Sequence, residues 1–147
     1  MFMISQSMLR EAKAFLCWDI FKDLSVQLMP LQKSTAFYFP PQNDLHSIVL
    51  FYLKDNEDFS EPLFLLFHEA GHVQQFRKIG DKEKYHKNLQ ASNGKDRMAF
   101  EQDAWDDAFM LFEQFLKTRN IESKELTDSF RRFSQTCINS YAVPTER

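Results

Sequence analysis

The sequence predicts an α+β fold: a helical body with a small two- or three-stranded sheet and one long, largely apolar helix between the two. Three observations carry this. Apolar residues recur at helical spacing in four stretches spread along the chain. The β-prone runs are short and confined to about one fifth of it, between Ser25 and Leu53. There are 16 phenylalanines against only 3 glycines, which favours a densely packed helical interior over a turn-rich β architecture. With 147 residues and 44% of them hydrophobic, the chain suits a single domain over 1–147, with no repeat, low-complexity run or internal linker.

The elements follow in order. Gln6 to about Leu24 reads as a helix, with Leu9, Ala12, Leu16 and Phe21 near one stripe and Phe15 and Trp18 widening it. Ser25 to Met29 alternates, as a short strand or the end of that helix, and Pro30 breaks either. Thr35 to Phe39 is a strand closed by Pro40-Pro41, and Gln42-Asn43-Asp44 is a turn cluster. His46 to Leu53 is the strongest strand, apolar on both faces and therefore expected to be covered on both; with 35–39 it forms a hairpin. Pro62 to Gly80 is the long helix, with Ser60 and Glu61 as cap chemistry, Arg77 and Lys78 at its negative end and Gly80 as its C-terminal cap. Asp81 to Asp96 is a charged surface loop with room for a short helix around Lys82 to Leu89 and a turn at Asn93-Gly94. Arg97 to Lys117 is a second strong helix, striped by Met98, Trp105, Ala108, Phe112 and Phe115. Ser123 to Tyr141 is the last, striped by Leu126, Phe130, Phe133, Cys137 and Tyr141. Pro144 then ends the element and a fraying tail follows.

Inside the long helix lies His68-Glu69-Ala70-Gly71-His72, an HExxH motif. At a spacing of four, two helical histidines stand one turn apart on one face, where neutral imidazoles can share a zinc ion. Glu69, directly after the first histidine, can lean over such a metal and accept a proton from bound water. A buried, hydrogen-bonded histidine pair in the core is the plainer alternative.

Zinc with an open position for water needs a third protein ligand. On the Arg97–Lys117 helix the apolar stripe is interrupted by Glu101, 29 positions after His72, where the helical period calls for an apolar residue. A carboxylate on a core face is costly unless it is paired or binds metal. Asp103, Asp106 and Asp107 project mostly from the other faces, toward water. Glu101 is therefore the candidate third ligand, and a salt bridge to a buried lysine or arginine is its alternative. His86, in the charged loop, is a ligand or substrate contact only if it is more than a solvated surface histidine.

The bulk properties exclude other classes. The net charge of -3, with no block of Lys or Arg, argues against a nucleic-acid surface. Arg10, Glu11 and Lys13 occupy the place where a signal peptide needs its apolar core, and no run approaches membrane-spanning length. Cys17 and Cys137 are far apart and read as free thiols in a reducing compartment. The expectation is a soluble cytoplasmic protein with no membrane partner and an open oligomeric state.

HEAGH on one helix with Glu101-Gln102-Asp103-Ala104 on the next resembles the gluzincin metallopeptidases, which pair HExxH with a downstream Glu, often as ExxA. The short length and element order resemble the minimal members called minigluzincins, and are similar to the small phage ImmA-type peptidases. The resemblance covers roughly residues 6 to 117, with the last helix an addition. Metzincins do not fit, since Gln75 and Lys78 stand where they need Gly and His. The resemblance implies a zincin-like fold in which His68, His72 and Glu101 hold Zn2+, with Glu69 as general base in hydrolysis of a peptide or protein substrate. Tyr141, Tyr85 or His86 is then the further donor to the oxyanion. Peptide would bind extended along strand 35–39 or 46–53. Many members carry an acid four positions after the ligand Glu to orient a metal histidine. Here that position is Trp105, which leaves Asp103, Asp106 or a backbone carbonyl for the role. The competing functions are a non-catalytic metal-binding interaction module of the same fold, and a helical structural protein whose HExxH is accidental.

Overall fold

The structure, a computed structural model, describes residues 3–40, 45–90 and 94–141, with the side chains of all but 88–90 and 94. The expected turn cluster 42–44, Asn93 and the tail beyond Tyr141 lie outside the described residues. The fold is α+β, with five α-helices and a three-stranded sheet among the described residues.

Helix α1 (Gln6–Ala14) starts at Ser5, whose side chain accepts a hydrogen bond from the Met8 N–H, and runs on into a π-helical segment Phe15–Ile20. The bond from Phe21 N to Leu16 O, five residues back, closes that wider turn. Leu9, Ala12, Phe15, Leu16 and Phe21 are buried as the stripe requires. Trp18 is not: the added residue per turn changes the phase and leaves it 78% exposed. The helical stretch therefore ends at Ile20, short of the expected Leu24, and strand β1 (Leu24–Met29) takes over.

The hairpin of β2 (Thr35–Phe39) and β3 (His46–Phe51) is present, antiparallel, with Phe37 opposite Val49. The expected cover on both faces of β3 is not found. His46, Ile48 and Leu50 are buried, while Ser47, Val49 and Phe51 on the other face are only half-buried. Only one face of the sheet packs on the helical body. β1 pairs with β3 in parallel, Leu24 opposite His46, so the order is β1-β3-β2 and β3 is central. Parallel pairing needs a long crossover, and here the β2 arm supplies it.

Helix α2 (Ser60–Ile79) is buried on most sides. Its first residues are tied down by Asp58, whose Oδ1 accepts from Ile4 N, Ser60 N and Ser60 Oγ, so Asp58 does the work expected of Ser60. Gly80, at φ +67°, ends the helix in the left-handed conformation that glycine adopts without penalty. The expected loop after it is mostly helical, α3 (Lys82–Gln90), and α4 (Gly94–Thr118) begins earlier than Arg97. Helix α5 (Lys124–Asn139) is capped by Ser123 Oγ, which accepts from Leu126 N.

The phenylalanines form the joint between helices. Phe64 and Phe67 of α2 meet Phe112 of α4 at 5.7 and 5.2 Å, and Phe112 stacks on Phe130 of α5 at 4.6 Å. Such offset and edge-to-face pairs add to the stabilisation from burial alone. Two helix backbones approach closely where Gly71 of α2 meets Ala104 and Ala108 of α4. Among the described residues no helix is long and apolar enough to cross a membrane.

Candidate metal centre

The α2–α4 joint brings the predicted residues together. His68 Nε2 lies 2.9 Å from Glu101 Oε1, and His72 Nε2 lies 3.2 Å from that same oxygen. Glu69 turns toward the other side of the His68 ring, its Oε2 3.0 Å from Nδ1. The Glu101 side chain has no exposed surface, and those of His68 and Glu69 are 12% and 11% exposed. The other Glu101 oxygen forms an ion pair with Arg97, at 2.9 Å and one helical turn away, which is the alternative expected of this acid.

His72 is oriented by a residue the sequence reading passed over. Gln75 Nε2 donates to the Phe100 carbonyl at 2.8 Å, and a carbonyl can only accept. The Gln75 amide oxygen must therefore be the atom 2.9 Å from His72 Nδ1, where it accepts the ring N–H. In the neutral ring the lone pair then sits on Nε2, the atom facing Glu101. Gln75 thus fixes the His72 ring, with a backbone carbonyl behind it. Gln75 stands three after His72, one helical turn on, which is the signal that could have found it. Trp105 itself stacks flat on the His68 ring, centroids 4.2 Å apart, and is backed by Phe130 and Phe133 of α5. We expect Gln75→Leu to weaken zinc binding about 10- to 100-fold with little change in the circular dichroism spectrum, read by competition with a chromophoric chelator.

Lone-pair atoms held this close need a positive charge on or between them. Between His68 and Glu101 a proton supplies it. Burial alone would lower the His68 pKa, but hydrogen bonds to Glu101 and Glu69 outweigh it and push the pKa up to about 9. Burial alone would likewise raise Glu101, yet the hydrogen bonds from His68 and His72 hold its carboxyl well below the usual range. The sign of the stability effect follows. The His68 contribution is complete below its ordinary 6.5 and is lost as pH rises toward about 9. The Glu101 contribution is present above its ordinary 4.5 and is lost as pH falls. In chelator, Tm is therefore expected to decline between about pH 6.5 and 9. A flat or rising Tm across that window would contradict the proton bridge.

His68, Glu69 and His72 offer one ligand atom each within 4.8 Å of one another, a group that could hold a metal ion. Three atoms bound tetrahedrally to zinc, at about 2.0 to 2.2 Å each, stand roughly 3.3 Å apart. The contacts of Glu101 Oε1 with the two Nε2 atoms are close to that spacing.

The group opens into a cleft of about 570 Å³. Its walls are β2 with Ser34, α2, and the end of α5 with the two residues that follow it, from Thr136 to Tyr141. Tyr85 and Tyr141, two of the expected donors, line it; His86 does not. Burial raises the pKa of both tyrosines, so each keeps its proton at neutral pH and can donate it. Arg97 lines the cleft as well, its guanidinium 4.9 Å from the Tyr141 ring centre. Tyr38 lies here too, but its hydroxyl is engaged with His46 Nδ1 at 2.6 Å. A larger groove of about 840 Å³, bordered by Lys78, Lys84, Asp96 and Asp103, shares only Gln75 with these site residues.

Asp103 and Asp106 face water as expected, whereas Asp107 is buried and paired with Lys78. Comparison with protein-family models, curated proteins and solved structures yields no match.

Proposed function

We propose that the chain is a zinc-dependent peptidase of the gluzincin type, with a zincin-like fold. His68 Nε2, His72 Nε2 and Glu101 Oε1 hold the metal, and Glu69 is the general base. The observation that carries the proposal is the convergence of two imidazole nitrogens on one fully buried carboxylate oxygen, with a second carboxylate beside them at the floor of an open cleft. Glu69 is preferred as base over ligand because it sits at the Nδ1 side of His68, while Glu101 faces the Nε2 atoms of both rings.

Zinc, when bound, lowers the pKa of a coordinated water and polarises a carbonyl. The chain's own residues do the rest. Glu69 takes the proton from the attacking water and delivers it to the leaving amine. Tyr85, Tyr141 and Arg97 are the cleft donors available to a developing oxyanion. Of the two strands expected to receive peptide, central β3 has both edges paired; β2 has an edge that is unpaired among the described residues, and it borders the cleft.

Metal analysis after reconstitution should give one zinc per chain. Glu69→Gln should keep that zinc and lose about 10²- to 10⁴-fold in peptide turnover. Zinc retained with turnover undiminished in the variant would reduce the protein to a metal-binding module. Absence of stoichiometric zinc would reduce the HExxH to an accident of sequence.

A further inference from the structure

The outward face of the sheet is uneven. On β1 it presents Ser25 and Gln27, both exposed. On β2 it presents Phe37 and Phe39, 48% and 52% exposed, with Phe51 of β3 edge-on to Phe37 at 6.3 Å. A sheet face that meets only water is normally polar across its width. Here the apolar surface gathers on one half, beside the free edge of β2. That same edge, from Ser34 to Tyr38, is a wall of the cleft holding His68 and Glu69.

A strand added to this edge alternates its side chains between the two faces. One set lies over the cleft. The other lands beside Phe37 and Phe39 at cross-strand distance, about 4.5 to 5.5 Å. We infer that Phe37 and Phe39, backed by Phe51, select the bound polypeptide. The cleft takes extended segments carrying apolar β-prone side chains (Val, Ile, Phe) at every second position, as unfolded or strand-forming protein segments do. Cleavage of such segments rests on the peptidase reading above; their binding does not. The occupant is a strand because the aromatic surface is continuous with an unpaired edge, and only a strand uses both at once.

The test separates binding from turnover. Zinc-loaded full-length Glu69→Gln is titrated against two fluorescein-labelled decapeptides of identical composition, one alternating Val and Phe with Ser and Lys, the other with the apolar residues grouped. The alternating peptide should bind at least about fivefold tighter, in fluorescence anisotropy. Adding Phe37→Ser and Phe39→Ser should abolish the difference, while Gln27→Ala, on the β1 half of the same face, should leave it. Should the serine variant fail to fold, Phe37→Thr keeps strand propensity and carries the same comparison. Equal binding of the two peptides overturns the inference, as does a difference that survives loss of both rings. A wild-type dimer that the serine substitutions dissolve, seen by light scattering, also overturns it and assigns the surface to a second copy. Hydrolysis by the wild-type chain is scored separately. A binding difference without hydrolysis keeps the specificity surface and sinks the peptidase reading, and hydrolysis without a binding difference does the reverse.

Discussion

Gly71→Ala is expected to destabilise the protein by about 3 kcal/mol or more, lowering Tm by roughly 10 °C. In most helices the same change stabilises, by about 1 kcal/mol, because glycine is a poor helix former. The sign reverses here because a Cβ at position 71 would lie 2.1 Å from the Ala104 carbonyl oxygen and 3.0 Å from the Ala108 Cβ and N. The nearest of these is backbone, so no rotamer change relieves it and the two helices must move apart. Glu101 sits one turn before Ala104 on α4, so that movement carries the carboxylate away from both histidines. The destabilisation should come with weakened zinc binding, and thermal melts with and without zinc measure both. Ala108→Gly should give little rescue, since it leaves the Ala104 carbonyl in place. Full rescue would show that the crowding is between side chains and that the backbones have room.

This contact also explains what the sequence could and could not disclose. His68, His72 and Glu101 were legible because each violates a pattern: two histidines on one apolar helix, and an acid in an apolar stripe. Ala104 was read as part of a motif, but its physical role, a small residue letting α4 approach Gly71, needs both helices in hand. Gln75 was passed over because a lone glutamine at a helical position breaks no rule; only the Phe100 carbonyl behind it reveals why it is buried. Trp105 was read as a missing acid, whereas its ring packs against His68. The strands were readable as runs, yet the parallel β1–β3 pairing was not, because period-2 patterns carry no partner information. The apolar stripe of α5 accounts for its packing and carries no sign that the end of the helix is also a wall of the cleft.

Glu101→Leu is the substitution expected to cost the site most. On the ligand set proposed above it removes a zinc ligand, and the proposed activity should fall at least as far as in Glu69→Gln because the metal goes with it. The metal-free chain gives an independent reading. Of the cations around Glu101, His68 can shed its proton and become neutral once the carboxylate is gone. Arg97 cannot, since a guanidinium stays charged at any pH the fold survives. Arg97 is 19% exposed and loses the carboxylate oxygen at 2.9 Å, and removing one partner of such an ion pair is expected to cost about 3 kcal/mol. A second substitution, Arg97→Leu, should recover part of this loss while leaving zinc binding absent. In the wild type, zinc at about a thousandfold its Kd should add about 4 kcal/mol to stability. In Glu101→Leu it should add almost nothing. A variant that still takes up one zinc with wild-type affinity would move the third ligand to Glu69. The Arg97 ion pair and the hydrogen bonds with His68 and His72 would then account for the buried Glu101 without a metal.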